Sequence, residues 1–252
     1  MNNSQPAEAA MRAAIQTLYS TFASYALRPH VDGCPCCVTD NLENQIHSTT
    51  LRKLSPLDLG EFGRKAMTTW GEVEDFKHFL PRLFEIQTFS PRRHTDSEVL
   101  FGKLDYGNWH GWPIEEQTAV REFLHAFWSY SLTVTAHDWN IEQRLCSIAQ
   151  TGEDLTPFLS HWTNHLSPTA LMHLIGLVCD NANQLTLNGN LSNSFWSEHK
   201  KEMQKVIAWI INPGTAKAFE EAILNEPPTD IDSAEMESAL IFFGRKHCGT
   251  GQ

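Results

Sequence analysis

Apolar residues recur at spacings of three and four along most of the chain, and this pattern constrains the fold more than any other feature. Near the N-terminus, Met11, Ile15, Leu18, Phe22 and Tyr25 follow it. Such spacing places side chains on one face of an α-helix. Strand-like alternation is nearly absent. The pattern therefore predicts an all-α protein with about eleven or twelve helices.

Several helix starts have a recognisable local chemistry. Ser55 and Ser167 each precede a proline, a combination typical of helix N-termini. Asp40 and Glu43 have the spacing of a capping box. Pro81 lies inside another predicted helix, where we expect a kink or a break. The short predicted loops favour antiparallel helical hairpins packed as an α-solenoid or a compact multi-helix bundle.

The length of 252 residues is compatible with one large domain or two smaller ones. We expect a single helical domain over residues 1–252. The polar stretch 181–193 is the best candidate for an internal boundary, and Asn188-Gly189-Asn190 within it has the composition of a turn.

Charge and hydropathy exclude several classes of partner. The net charge is −11, and the basic residues occur as scattered pairs, so the sequence predicts no nucleic-acid binding. An acidic surface instead suits a basic protein partner. No apolar run approaches the roughly 20 residues that span a bilayer, and residues 1–8 lack the features of a signal peptide. We therefore expect no membrane association and a cytoplasmic location, where cysteines are usually reduced.

Half of the six cysteines lie in one short loop between predicted helices, and this loop is the strongest candidate site. Cys34 and Cys37 have the C-x-x-C spacing with which two thiolates bind one zinc ion. Cys36 supplies a further thiol between them, and His30 lies four residues before Cys34. The sequence therefore predicts a metal site, with zinc as the ion.

A second unusual stretch, residues 68–82, is expected to meet the cysteine loop in space. It contains His78, which is the first candidate for a further zinc ligand. His47 is the second, and the tail pair His247 and Cys248 is the third. Asp75 lies three residues before His78 and can hold its imidazole ring; the alternative is that Asp75 pairs with Lys77 or with solvent. We expect a structural site in which the protein fills every coordination position.

Other interpretations of these residues remain open. Cys34-Pro35-Cys36-Cys37 also has the C-P-x-C form of glutaredoxin-like redox centres, although such centres need flanking strands that are not predicted here. The three thiols are alternatively inert. A second metal site is conceivable at His161 and His165, spaced by four residues, with His173 as a third ligand.

The run Gly33-Cys34-Pro35-Cys36-Cys37, with the later Thr69-Trp70-Gly71 and the segment from Asp75 to Arg82, resembles a family of uncharacterised bacterial proteins. The likeness covers the first 110 residues best. It implies that the cysteine loop and the His78 segment belong to one module. It implies no activity.

These features predict a non-enzymatic, helical protein-interaction protein with a structural zinc site in its N-terminal part. A specific version is an immunity-like or antitoxin-like protein that covers a basic bacterial toxin. The alternative is a metal-dependent or thiol-based enzyme that uses the cysteine loop or the His161 and His165 pair. No phosphate-binding loop, dinucleotide fingerprint or nucleophile elbow occurs in the sequence, which favours the non-enzymatic interpretation.

Overall fold

The computed structural model describes residues 4–90, 95–134, 140–229 and 231–247. These ranges contain twelve α-helices: α1 Ser4–Thr21, α2 Asp40–Ile46, α3 Pro56–Lys65, α4 Val73–Phe89, α5 Ser97–Tyr106, α6 Ile114–Ser131, α7 Ile141–Ala149, α8 Thr156–Asn164, α9 Pro168–Leu187, α10 Lys200–Ile210, α11 Pro213–Asn225 and α12 Ser233–His247. Short 3-10 turns lie at Leu51–Lys53, Trp109–Gly111 and Ser194–Ser197. Within the same ranges the β-type pairings are two isolated bridges, so the all-α prediction is confirmed.

The predicted helix starts are formed largely by the predicted residues. Ser55 Oγ accepts a hydrogen bond from Asp58 N, and Asp58 Oδ2 accepts one from Ser55 N at 2.7 Å, which completes a capping box. Ser167 caps α9 in a similar way. The capping box predicted for Asp40 and Glu43 is wrong, because Thr39 is the N-cap of α2. The Glu43 carboxylate instead accepts hydrogen bonds from Val31 N and Trp70 Nε1.

Pro81 lies inside α4 without ending it. The helix continues from Val73 to Phe89, so the predicted break does not occur. The residues around the proline, Leu80 and Leu83 among them, are buried, and their packing holds the helix together where one backbone hydrogen bond is missing.

The chain divides into two compact units, Gln5–Phe127 and a second one from Trp128 onwards, with the division inside α6. The expected single domain stays a prediction. The stretch 181–193 belongs to the second unit, where residues up to Leu187 continue α9. Gly189 follows with a φ of 60°, so the turn predicted at residues 188–190 is present.

Each unit has an aromatic core of its own. In the first unit the rings of Phe84, Phe101, Phe123 and Phe127 pack against one another at centroid distances between 4.8 and 6.1 Å. In the second unit Trp162 is packed between Trp128 and Trp209, at 5.4 and 5.0 Å. Such pairs contribute about 0.5–1.5 kcal/mol each beyond area burial.

None of the helices in the described ranges has the length and apolarity to cross a membrane.

Candidate metal centre in the cysteine loop

The cysteine loop and the segment before α4 meet in the first unit, as the sequence predicted. Gly33 and Trp70 form an antiparallel bridge. Cys34 N donates to the Thr69 carbonyl oxygen at 2.8 Å, and Gly71 N donates to the Asp32 carbonyl oxygen at 2.7 Å. These paired backbone bonds fix the start of the loop against residues 69–71.

Two glycines permit this close approach. A Cβ atom on Gly33 would lie 2.7 Å from Val38 Cγ2 and 3.2 Å from Trp70 Cδ1, which is too close for any other residue without movement of the loop. Gly71 has a φ of 70°, in the left-handed region that favours glycine. A Cβ there would also lie 3.0 Å from an Asp75 oxygen and from Val31.

The end of the loop is held by a turn and by a lysine. Cys37 N and Val38 N both donate to the Cys34 carbonyl oxygen at 2.9 Å, which closes the turn. Lys65, the last residue of α3, donates from Nζ to the Cys37 carbonyl oxygen at 2.6 Å. Because backbone bonds and Lys65 fix the loop, its three thiols are free to contact one another.

The three sulfur atoms form a cluster. The Sγ atoms of Cys34, Cys36 and Cys37 all lie within 4.8 Å of one another, and the Cys34–Cys36 distance is 2.9 Å. Among the described residues this is the one group of at least three potential ligands with that spacing. The cluster of thiols can therefore hold a metal ion, because thiolates are ligands for soft ions such as zinc and copper(I).

Hydrogen bonding separates the acidities of two thiols in the cluster. The hydrogen bond between Cys34 and Cys36 lowers the pKa of Cys34, and Cys37 adds to this effect. The same bond raises the pKa of Cys36 to about 11. Of these two thiols, Cys34 is the more easily ionised. A metal that binds all three must displace protons, so its affinity rises with pH.

The Glu43 carboxylate contacts four residues on or beside the cysteine loop, and this role was not predicted from the sequence. Its Oε1 accepts a hydrogen bond from Val31 N at 2.8 Å, and its Oε2 accepts one from Trp70 Nε1 at 3.3 Å. His30 Nδ1 and His47 Nε2 lie 3.3 and 3.1 Å from Oε1. The spacing of four between Glu43 and His47 was the available signal, but the contacts to residues 30, 31 and 70 depend on the fold.

The histidines predicted as zinc ligands therefore lie outside the sulfur cluster. His30 and His47 share the Glu43 carboxylate, and His78 donates from Nδ1 to the Tyr25 carbonyl oxygen at 2.7 Å. Burial lowers the pKa of His78, so the neutral ring is favoured. Whether His30 or His78 binds metal stays a prediction. Of the tail pair, Cys248 lies outside the described residues, as does the side chain of His247.

Asp75 does not hold the His78 ring, contrary to the expectation. Its carboxylate is buried and accepts hydrogen bonds from Arg28 Nε at 2.8 Å and from Glu72 N at 2.8 Å. Lys77, the neighbouring cation, pairs instead with Glu116 at 2.7 Å. Asp75 thus links the segment before the cysteine loop to the first turn of α4.

The alternative sites are not assembled in the structure. His161 and His165 stack at 4.2 Å, but His165 Nδ1 donates to the His161 carbonyl oxygen, and His173 donates to the Val134 carbonyl oxygen. The three rings do not form a ligand group.

Comparisons with protein-family models, with curated proteins and with solved structures found no match to this chain. The candidate site therefore stands on its own geometry.

Proposed function

We propose that the protein binds one zinc ion through Cys34, Cys36 and Cys37, and that the ion stabilises the corner where the cysteine loop meets residues 69–71. The observation that carries this proposal is the clustering of three sulfur atoms within 4.8 Å. The lowered pKa of Cys34 supports it, because the thiolate is the form that binds metal. The fixed backbone of the loop supports it further, since the backbone that carries the three thiols needs little reordering.

Around this site we propose a helical protein-interaction function with a basic protein partner. The net charge of −11 supports it through electrostatic steering. An immunity-like or antitoxin-like role toward a basic toxin is the specific version of this proposal. We further propose that the protein is cytoplasmic and that it is related to the family of uncharacterised bacterial proteins that its N-terminal part resembles.

The metal part is tested by elemental analysis of the purified protein beside the double variant Cys34→Ala, Cys37→Ala. We expect about one zinc per chain in the wild type, none in the double variant, and a lower melting temperature for the variant. Cys179→Ala is the matched control, because Cys179 is a half-buried thiol in the second unit. A wild type without bound metal, even after incubation with zinc, would contradict the proposal.

The interaction part is tested separately with native lysate at low and high salt. We expect a basic partner that is retained at low salt and released at high salt, since the Debye length falls from about 30 Å at 0.01 M to about 3 Å at 1 M. Failure to retain a basic protein at low salt would count against this part and would leave the metal site unaffected.

A further inference from the structure

The sulfur cluster lies at the surface of the first unit. Cys36 is exposed, and Cys34 and Cys37 are half-buried. An ion held between the three sulfurs therefore has protein on one side and solvent on the other. This differs from a structural zinc site, in which four protein ligands enclose the ion.

The backbone of the loop has little freedom to fold over such an ion. Cys34 is tied to Thr69 and Asp32 to Gly71 by backbone bonds of 2.8 and 2.7 Å. Cys37 is tied to Lys65 by a bond of 2.6 Å. The two ends of the sulfur cluster are thus both fixed to neighbouring elements, and the outer face of the cluster stays exposed.

Three histidines close to the loop in sequence or in the fold are engaged elsewhere. Glu43 hydrogen-bonds to His47 and lies 3.3 Å from the exposed His30 ring, and His78 donates to the Tyr25 carbonyl oxygen. Each would have to give up its contact before it reached the sulfur cluster. Within the part of the chain that the structure describes, the geometry therefore leaves the outer coordination position of a bound ion to a ligand from solution.

We infer that a zinc ion in this loop is held by Cys34, Cys36 and Cys37 and takes its fourth ligand, a thiolate, from another molecule. The inference rests on the proposed zinc site and names the ligand that completes it. Zinc in proteins is four-coordinate, and three-ligand sites hold water or an exchangeable ligand in the fourth position. A thiolate matches the soft, all-sulfur ligand set better than a carboxylate does.

The exchange is a ligand substitution without oxidation or reduction. The incoming thiol loses its proton to solvent, its sulfur forms a bond to zinc, and the zinc-bound water leaves. A small monothiol and a cysteine of a second protein molecule provide the same chemistry. A second copy of this chain is one such protein.

The test uses the full chain loaded with cobalt(II), which replaces zinc and gives sulfur-to-metal charge-transfer absorption. Titration with 2-mercaptoethanol should raise this absorption about 1.3-fold, since four Co–S bonds replace three. The same rise without added thiol, at high protein concentration and with a doubled mass, would assign the fourth thiolate to a second copy and also support the inference.

The outcomes separate this inference from the proposed site itself. Strong charge-transfer absorption that neither thiol nor protein concentration changes would overturn the inference, because the chain itself would then fill all four positions. A response to imidazole but not to thiol would overturn the thiolate assignment. Absence of charge-transfer absorption would overturn the proposed metal site. Cys36→Ser should lower the absorption by about a third, since two Co–S bonds remain of three, while Cys179→Ser should leave it unchanged.

Discussion

Two polar clusters, one in each unit, use their polar atoms in opposite ways. In the second unit the buried Glu142 carboxylate accepts hydrogen bonds from Asn193 N at 2.8 Å and Trp196 Nε1 at 3.1 Å on one oxygen. Its other oxygen accepts bonds from Asn181 Nδ2 at 2.9 Å and Ser192 Oγ at 3.0 Å. In the sulfur cluster of the first unit, by contrast, the thiols are partly exposed and contact one another.

This difference separates a cluster that holds the fold from one that can take a ligand. Every acceptor position of Glu142 that is described is used by the protein, and the result is a fixed connection between α7, α9 and the turn before Trp196. The thiols have soft lone pairs on an exposed surface, over a backbone that is already fixed. The comparison therefore predicts separate effects of substitutions on stability and on metal binding.

The largest effect is expected at Glu142. Glu142→Ala should lower the free energy of unfolding by about 2–6 kcal/mol, because the half-buried Asn193 N–H and the buried Trp196 indole N–H would each lose their acceptor at about 1–3 kcal/mol. Urea denaturation measures this change. Glu220→Ala, at an exposed position of α11, is the control and should change stability by about 0.5 kcal/mol or less. A small loss at Glu142 would mean that the cluster is not structural.

Gly33→Ala tests whether the fixed backbone of the cysteine loop matters both for stability and for metal binding. The added methyl group would overlap Val38, so we expect a loss of about 1–3 kcal/mol and weaker zinc binding. Gly176→Ala is the matched control, because its Cβ would meet no atom within 4 Å in the middle of α9. The control should be neutral or slightly stabilising. Unchanged zinc affinity in Gly33→Ala would contradict a preformed loop.

One buried histidine, His173, and one half-buried histidine, His78, predict a loss of stability in mild acid. Burial lowers the pKa of His173 and of His78, so the unfolded state takes up protons first as the pH falls below about 6.5. Stability should therefore decrease from pH 7 to pH 5 and level off below the folded-state pKa. Denaturation of His173→Gln at both pH values should show a smaller decrease than the wild type. The exposed His165→Gln is the control, and an equal decrease in all three proteins would contradict the prediction.

The smallest effect is expected at the exposed pair of Asp154 and Lys205 in the second unit. The Lys205 ammonium at 2.8 Å lowers the pKa of Asp154 to about 2. A carboxylate whose pKa is lowered in the folded state stabilises the protein at pH values above its unfolded pKa of about 3.9. This stabilisation is lost as the pH falls through the folded-state pKa of about 2. Lys205→Met should cost about 0.5 kcal/mol at pH 7, given solvent screening, and nothing near pH 2. A difference that persists at pH 2 would assign the effect to packing.

The sequence predicted those features that depend on local chemistry. Ser55 and Ser167 begin helices because each serine side chain accepts a hydrogen bond from a backbone N–H three residues later, and this contact is local in sequence. The meeting of the cysteine loop with residues 69–71 was also predicted. The partners of charged groups were not. Asp75 binds Arg28, 47 residues away, instead of His78. The Glu43 side chain does not take part in a capping box but accepts hydrogen bonds from Val31 N and Trp70 Nε1.

These errors have a common physical reason. Local spacing shows which groups can meet within a helix, but a buried carboxylate binds the donors that the packed fold brings to it. The cluster around Glu142 illustrates the same limit, because its four donors come from residues 181–196 and no local pattern connects them to α7. The thiols were predictable because all three lie within four residues of sequence.

Unfolding of the wild type at increasing free zinc tests the central claim most directly. If the sulfur cluster binds zinc only in the folded state, the free energy of unfolding should rise with the logarithm of free zinc, by about 2.7 kcal/mol at a hundredfold excess over Kd. The double variant Cys34→Ala, Cys37→Ala should show no such rise. A wild type whose stability does not depend on zinc, or a variant that gains equally, would contradict the claim that these three thiols form a metal site.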